Sequence, residues 1–263
     1  MPELPDVENF RQYFNNTSLN KNIKEVDIEA PKMVEDISAK DLRNKLTGKK
    51  FISSKRHGKY FFAQITKTQF LVLHFGMTGY LQYGEDEAKV EKHARLICRF
   101  TKDRFLAYIC QRKFGIISFT DNLEEFISSK KLGFDPIESK LNYKKFEEIT
   151  EGRSSKIKSL LMDQEIIAGI GNIYADEILY HSGVHPEKSF DELDEKSKKK
   201  LVKDINKILE KGIEVNTCSK DFPKNYLTNR RKENEECGLC GGSIKKKKVG
   251  GRTSYFCSDH QYK

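Results

Sequence analysis

Apolar residues recur along the chain in two rhythms, and the change of rhythm divides it. Near the start, Val7, Phe10, Tyr13 and Phe14 fall at three- and four-residue intervals, which predicts a short amphipathic helix carrying Pro2 at its N-terminus. Alternating or continuous apolar runs follow at 60–66, 69–75, 94–100, 104–110 and 115–120, bounded by turn residues, and Thr101-Lys102-Asp103-Arg104 reads as a hairpin turn. Short strands at this spacing predict an antiparallel sandwich or barrel. Gly133-Phe134-Asp135-Pro136 ends the pattern, and a helical period replaces it. Leu201, Val202, Ile205, Ile208, Leu209 and Ile213 form a core-facing stripe that ends near Gly212, with Ser189 and Glu192 as a capping box ahead of it. Residues 219–236 are polar and irregular; the chain has no internal repeat, and Lys245 to Lys248 is its one biased tract.

With 263 residues the chain can bury two ordinary cores, and the punctuation suggests two main domains and a small appendix. The divisions expected are 1–132, 133–218 and 219–263. Net charge is +9, and residues 219–263 hold eleven Lys/Arg against five Asp/Glu, so most of the excess lies in the last part. That distribution favours a polyanionic partner, although a solvated basic tail would have the same composition. No apolar run approaches roughly 18 residues and no signal-peptide core is present, which predicts a soluble intracellular protein.

Cysteine spacing adds a metal. Cys237-x2-Cys240, an interval of 16 residues, and Cys257-x2-His260 place two close ligand pairs on two turns, as a tetrahedral zinc requires. One structural zinc is expected, and a segment this small would owe much of its folding free energy to it. Cys98, Cys110 and Cys218 are scattered singly and do not suggest disulfides. Between the ligand pairs, Gly250-Gly251-Arg252-Thr253-Ser254-Tyr255 offers a turn with a basic tip.

The opening Met1-Pro2-Glu3-Leu4-Pro5-Asp6-Val7-Glu8 permits two readings. Proline with acidic neighbours suits a helix start. Removal of Met1 would instead expose a secondary amine beside a carboxyl group, and an α-amine has a reference pKa about 2.5 below that of lysine. Such an amine attacking a sugar aldehyde gives an iminium with no proton on nitrogen, a lasting electron sink.

Further motifs accompany that octet: Arg56-His57-Gly58-Lys59-Tyr60, His74-Phe75-Gly76-Met77-Thr78-Gly79, Gln111-Arg112-Lys113-Phe114-Gly115, Ile157 to Gln164, and Gly169-Ile170-Gly171-Asn172-Ile173-Tyr174-Ala175-Asp176-Glu177. Together they cover nearly the whole chain, which closely resembles the formamidopyrimidine-DNA glycosylase and endonuclease VIII family, the former most. The resemblance implies an α+β fold: an N-terminal antiparallel β-sandwich with a catalytic N-terminal helix, then a helix-two-turn-helix domain and a zinc ribbon. It implies that Pro2 is the nucleophile, Glu3 the general acid/base, and Lys59 and Arg252 the groups that assist elimination. Met77, Arg112 and Phe114 correspond to the trio that fills the gap left by an extruded nucleotide. His93, Arg153, Lys158 and Asn172 are expected at the DNA, with the glycines of 169–171 and the helix N-terminus beside Asn172 offering backbone donors to a phosphate.

The implied function is a bifunctional glycosylase and abasic-site lyase of base-excision repair. It would act as a monomer on duplex DNA carrying oxidised bases or abasic sites, away from membranes, in the cytoplasm or nucleoid. An endonuclease VIII-like preference for oxidised pyrimidines and a non-catalytic nucleic-acid-binding ribbon protein are the alternatives. Two departures stand out. His260 occupies a ligand place that is usually cysteine, and the segment between Phe222 and Cys237 is only fourteen residues long. A short loop there implies looser selection among oxidised bases.

Overall fold

A computed structural model describes residues 1–217 and 219–261; Cys218, read above as a single thiol, lies outside them. The chain forms two compact units, Met1–Pro2 with Val7–Lys130, and Glu3–Asp6 with the residues from Lys131 onward. Its elements run α1 (Leu4–Ser18), β1 (Ile23–Ile28), α2 (Ala39–Leu46), β2 (Ser53–His57), β3 (Tyr60–Gln64), β4 (Phe70–His74), β5 (Gly79–Gly84), β6 (Ala94–Phe100), β7 (Phe105–Cys110) and β8 (Ile116–Thr120). They continue as α3 (Leu123–Ser129), α4 (Tyr143–Thr150), α5 (Ile157–Met162), α6 (Asn172–Ser182), α7 (Glu195–Glu214), β9 (Ile244–Val249) and β10 (Arg252–Cys257).

In the first unit two four-stranded antiparallel sheets, ordered β1-β6-β7-β5 and β2-β3-β4-β8, share one core. Phe61, Ala63, Leu71, Leu73 and Ile117 from one sheet meet Leu96, Cys98, Leu106 and Tyr108 from the other, with Val7 and Phe14 of α1 in the same cluster. β3 is buried on both faces, because Phe62 packs with Phe70, Val72 and Phe126 on the opposite side. That double burial explains why it reads as an apolar run rather than as an alternation. The β6–β7 turn falls where expected: Phe100 N–H donates to Arg104 O at 2.7 Å, and Lys102 and Asp103 take positive φ (67° and 56°).

The second unit is built on α5, α6 and α7. Leu201, Val202, Ile205, Ile208 and Leu209 of α7 are buried against Ile157, Leu160, Ala175, Ile178 and Leu179. The capping box is present but caps the 3₁₀ turn Phe190–Glu192; α7 starts later, with Asp194 accepting from Ser197 N–H at 2.7 Å. Asp194 is itself a strong N-cap residue, so the helix nucleates at the nearer cap. The β9–β10 hairpin carries a small cluster of its own, Tyr180, Leu227, Cys237, Ile244 and Cys257, to which α6 contributes the tyrosine. Among the described residues no helix is long and apolar enough to cross a membrane.

Candidate active site

Glu3 is the best-fixed of the site residues. It is 2% exposed, and its carboxylate accepts from the N–H groups of Gly171 (2.8 Å), Ile173 (2.9 Å) and Tyr174 (3.1 Å) at the start of α6. A carboxylate on otherwise unsatisfied helix N–H groups is stabilised by both hydrogen bonds and the helix dipole. The two glycines of the turn are required by this contact. A Cβ on Gly171 would strike the Glu3 carboxyl carbon, and one on Gly169 (φ 105°) would lie 2.6 Å from Leu4 Cβ. The sequence reading assigned these glycines and donors to a phosphate; the structure gives them to the chain's own N-terminal segment, Leu4 N–H also donating to Gly169 O at 3.0 Å. Asn172 stands at the first position of α6 with its Oδ1 buried and unpartnered among the described residues. Pro2 is half-buried beside an exposed Met1.

In the first unit, Lys59 sits at the tip of the β2–β3 hairpin, after Gly58 with φ 54°. The hairpin is tied to α1 by a buried ion pair: Arg56 Nε lies 3.1 Å from Glu8 Oε2, and Arg56 Nη1 donates to Gly58 O at 3.2 Å. Next to it, His74 is pulled from 6.5 to about 4, first by burial and then by the Lys59 ammonium. A neutral His74 accepts from Gly76 N–H at 3.3 Å and so braces the turn that carries Met77.

Met77 and Phe114 are 40% and 57% exposed, large apolar side chains left in solvent on two loops. The loops abut, since a Cβ on Gly76 would lie 2.5 Å from the Phe114 carbonyl carbon, and the Arg112 guanidinium stacks 5.0 Å from the Phe114 ring centre. The two loops that carry the trio thus meet. His93 lies beside the segment that carries Arg112: its carbonyl accepts from Cys110 N–H at 2.9 Å, and its Nδ1 faces Arg95 Nη2 at 3.4 Å. Arg153 is exposed and lines a cavity of about 620 Å³ shared with Glu147, Glu148, Glu151 and Asp191.

Lys158 is a correction. Its side chain is 1% exposed and its ammonium is 2.7 Å from Asp176 Oδ1, with Thr253 O at 3.2 Å. Burial lowers its pKa while Asp176 works to raise it. A cation so enclosed is committed to the fold and does not offer a surface charge to a phosphate.

Cys237, Cys240, Cys257 and His260 converge with their ligand atoms within 4.8 Å of one another, a group that could hold a metal ion. Three sulfurs and an imidazole are a donor set suited to zinc. The surroundings fit a held ion as well. His260 turns Nδ1 toward Cys237 Sγ (3.4 Å) and Cys240 Sγ (3.5 Å), while its Nε2 meets Tyr180 O at 2.9 Å, which fixes ring and tautomer. The Tyr180 hydroxyl is 3.1 Å from Cys237 Sγ. Burial opposes ionisation of that thiol, but the hydroxyl and the N–H groups of Leu239 and Cys240 outweigh it and lower its pKa. Arg252 opens β10 opposite Val249, exposed, after Gly250 and Gly251 with positive φ (55° and 76°).

Sequence reading missed Glu8, Asp176, Glu177 and Tyr180 as supports. Glu177 is buried and accepts from Leu227 N–H (2.9 Å), Thr228 N–H (2.7 Å) and the Thr228 hydroxyl (2.7 Å). One signal was available: two adjacent carboxylates in a helix whose neighbours Ala175, Ile178 and Leu179 are all apolar must be buried and therefore paired.

Sequence profiles of the formamidopyrimidine-DNA glycosylase N-terminal domain and of its H2TH domain match residues 1–117 and 132–223. The chain is 35% identical over 272 residues to the formamidopyrimidine-DNA glycosylase of Mycoplasma genitalium, covering 99% of this chain and 96% of that protein. It is 34% identical to the Lactococcus lactis subsp. lactis protein of the same name, over the full length of both. Among solved structures, a complex of the Lactococcus lactis Fpg with DNA containing an abasic site superimposes with a TM-score of 0.90 at 33% identity, covering 99% of this chain and 100% of that one. A complex of that protein with FAPY-dG-containing DNA gives the same TM-score and identity. With relatives of this identity over its whole length, and both domain profiles in order, the chain belongs to the formamidopyrimidine-DNA glycosylase family.

Proposed function

We propose that the protein is a base-excision repair glycosylase that removes oxidised bases, formamidopyrimidines and 8-oxoguanine among them, from duplex DNA and cuts the strand at the resulting abasic site. The observation that carries this reading is the Glu3 carboxylate, held by three α6 N–H donors next to the proline that becomes an amine once Met1 is removed. The Pro2 nitrogen bonds to C1′ as the bond from C1′ to the base breaks, and the Glu3 carboxylate takes the proton that the Pro2 nitrogen gives up and passes it to O4′ as the sugar opens to the iminium. Loss of a C2′ proton from the iminium expels the 3′ phosphate, and loss of a C4′ proton expels the 5′ phosphate. Water then releases the sugar fragment and restores the amine. Lys59 and Arg252 stabilise the departing phosphates. Flipping the nucleotide costs a few kcal/mol of unstacking, and the exposed Met77, Arg112 and Phe114 are placed to replace it.

In this reading residues 1–132 are the catalytic domain, 133–218 the DNA-gripping helical domain and 219–263 a linker and ribbon. Cys237, Cys240, Cys257 and His260 would hold zinc, and an ion bound there by four protein ligands would supply folding free energy. A duplex-DNA substrate places the protein's work at the nucleoid.

Borohydride reduction in the presence of an abasic duplex tests the chemistry. Protein verified to start at Pro2 is expected to be trapped covalently, and Pro2→Gly or a Met1-retaining sample to lose strand cleavage. Absence of an adduct from correctly processed protein would leave a binding protein only. Metal analysis of the same sample is expected to find zinc at one per chain, lost in Cys240→Ser.

A further inference from the structure

Asp176 lies within α6, 1% exposed, and its two carboxylate oxygens receive donors from three separate parts of the second unit. Oδ1 takes Lys158 Nζ of α5 at 2.7 Å and the Ser254 hydroxyl of β10 at 2.7 Å. Oδ2 takes Arg231 Nη2 at 2.9 Å and the Tyr255 N–H at 3.1 Å. Four donors fill the acceptor sites of one carboxylate. Lys158 closes the circuit by donating to Thr253 O at 3.2 Å, and the Arg231 guanidinium covers the Tyr255 ring at 5.0 Å.

The three residues that follow Arg252 are therefore each held by one ion pair: Thr253 through its carbonyl, Ser254 through its hydroxyl, Tyr255 through its amide. On its other side Arg252 meets the Gly250-Gly251 turn, with φ of 55° and 76°, and it pairs with Val249 at the very end of β9. With a glycine turn before the arginine and a buried clamp directly after it, the clamp and the β9 ladder together set where the guanidinium can reach. The clamp also sits on α6, the helix whose first turn holds Glu3. Such a buried charged network fixes geometry at some expense in stability, so its presence beside an exposed arginine has a physical use.

We propose that Asp176, with Lys158, is the positioning residue for Arg252 and thereby controls the second elimination. The inference rests on the role given above to Arg252 and goes beyond it: Asp176 touches no substrate and acts only by fixing the strand. The chemistry is unchanged. Loss of the C4′ proton still breaks the bond from C5′ to oxygen, and the displaced arginine withdraws stabilisation from the phosphate that leaves.

The test uses full-length, zinc-loaded protein and single-turnover cleavage of an abasic duplex, with the unsaturated-aldehyde ends of β-elimination resolved from the phosphate ends of δ-elimination. A ratio of products does not depend on the active fraction, so general loss of stability leaves it unmoved. Asp176→Asn is expected to shift that ratio toward β-product on the order of tenfold, while borohydride trapping of the first step persists. Arg252→Ala is expected to shift it likewise, and the double variant no further, because both changes remove one interaction. Ser254→Ala, which keeps the ion pair and loses one tether, should shift it in the same direction by less, and decides the matter if Asp176→Asn fails to retain zinc. A wild-type ratio in Asp176→Asn, or additive shifts in the double variant, overturns the positioning role. A wild-type ratio in Arg252→Ala overturns the role of the arginine itself, a separate failure.

Discussion

The Gly171 amide donates to the Glu3 carboxylate at 2.8 Å, joining residues 168 apart in sequence, and no side chain larger than hydrogen fits at Gly171 while that bond stands. An added methyl must displace either the carboxylate or the backbone of the turn. Overpacking of this kind costs about 1–3 kcal/mol, and a general acid moved from its place forfeits roughly 10²–10⁴ in rate. Gly171→Ala is therefore expected to slow single-turnover base excision by at least a hundredfold, with a far smaller loss of affinity for an abasic duplex. Excision at the wild-type rate would show that Glu3 does not need this seat.

The parts of the molecule that sequence conveys are those whose signal is local. The β3 and β4 runs, the β6–β7 turn, the α7 stripe and each of the two close pairs that could hold a metal depend on neighbours within a few positions. β1 was missed because a register shift between Ile23 and Glu25 breaks its alternation, leaving Ile23, Val26 and Ile28 buried at uneven intervals. β2, Ser-Ser-Lys-Arg-His at a sheet edge, has no apolar pattern at all; its buried residue is Arg56, satisfied by Glu8. The site divides the same way. Pro2, Glu3 and Lys59 stand in linear motifs, whereas the partners of Asp176 in β10 lie 78 and 79 residues away and those of Glu177 lie 50 and 51 away. Lys158 shows the reverse error: a lysine in a DNA-binding motif reads as a phosphate contact until burial is known.

His74 makes the fold sensitive to mild acid. Its pKa is about 4 in the folded protein against 6.5 for the free side chain, so the unfolded chain takes up its proton first as pH falls. The stabilising contribution of the neutral imidazole is complete above pH 6.5 and is lost progressively between 6.5 and 4, a change of about 3 kcal/mol. His74→Gln removes this linkage and leaves the carboxylates as they were. Urea midpoints measured at pH 7 and pH 4.5 are expected to separate by less in the variant than in the wild type; equal separations would mean that His74 is not buried neutral.

Salt dependence distinguishes the two cations of the ribbon junction. Arg252 is exposed at the hairpin tip, and its loss should lower the slope of log affinity against log salt by about one. Lys158 is enclosed with Asp176, so Lys158→Met is expected to take nothing from the slope beyond what Arg252→Ala takes, while destabilising the fold by roughly 1–3 kcal/mol, since Arg231, Ser254 and Tyr255 still serve the carboxylate. Titrations of Arg252→Ala and of the Arg252→Ala, Lys158→Met double variant on an abasic duplex over a range of salt concentrations check this, and a further loss of slope in the double variant would return Lys158 to the DNA surface.

Lesion choice is expected to follow from the segment between α7 and the ribbon. The family resemblance implies a longer loop here over a flipped 8-oxoguanine, whereas this chain has fourteen residues between Phe222 and Cys237 and several of them are pinned. Phe222 and Tyr226 are buried with ring centres 5.4 Å apart, and Glu177 captures the amides of Leu227 and Thr228. Asn229 Nδ2 donates back to Phe222 O and Pro223 O, both at 3.1 Å. A segment whose amides are in part spent on its own fold has fewer backbone donors with which to grip the distinguishing atoms of one oxidised purine, and discrimination between similar bases depends on such donors. Ring-opened formamidopyrimidines are therefore expected to be removed efficiently, 8-oxoguanine with less selectivity, and some oxidised pyrimidines to be accepted. Single-turnover rates on the three lesions, each in an otherwise identical duplex, measure this directly. A strong and exclusive preference for 8-oxoguanine opposite cytosine would mean that recognition comes from residues outside this segment, and that its shortness does not relax selection.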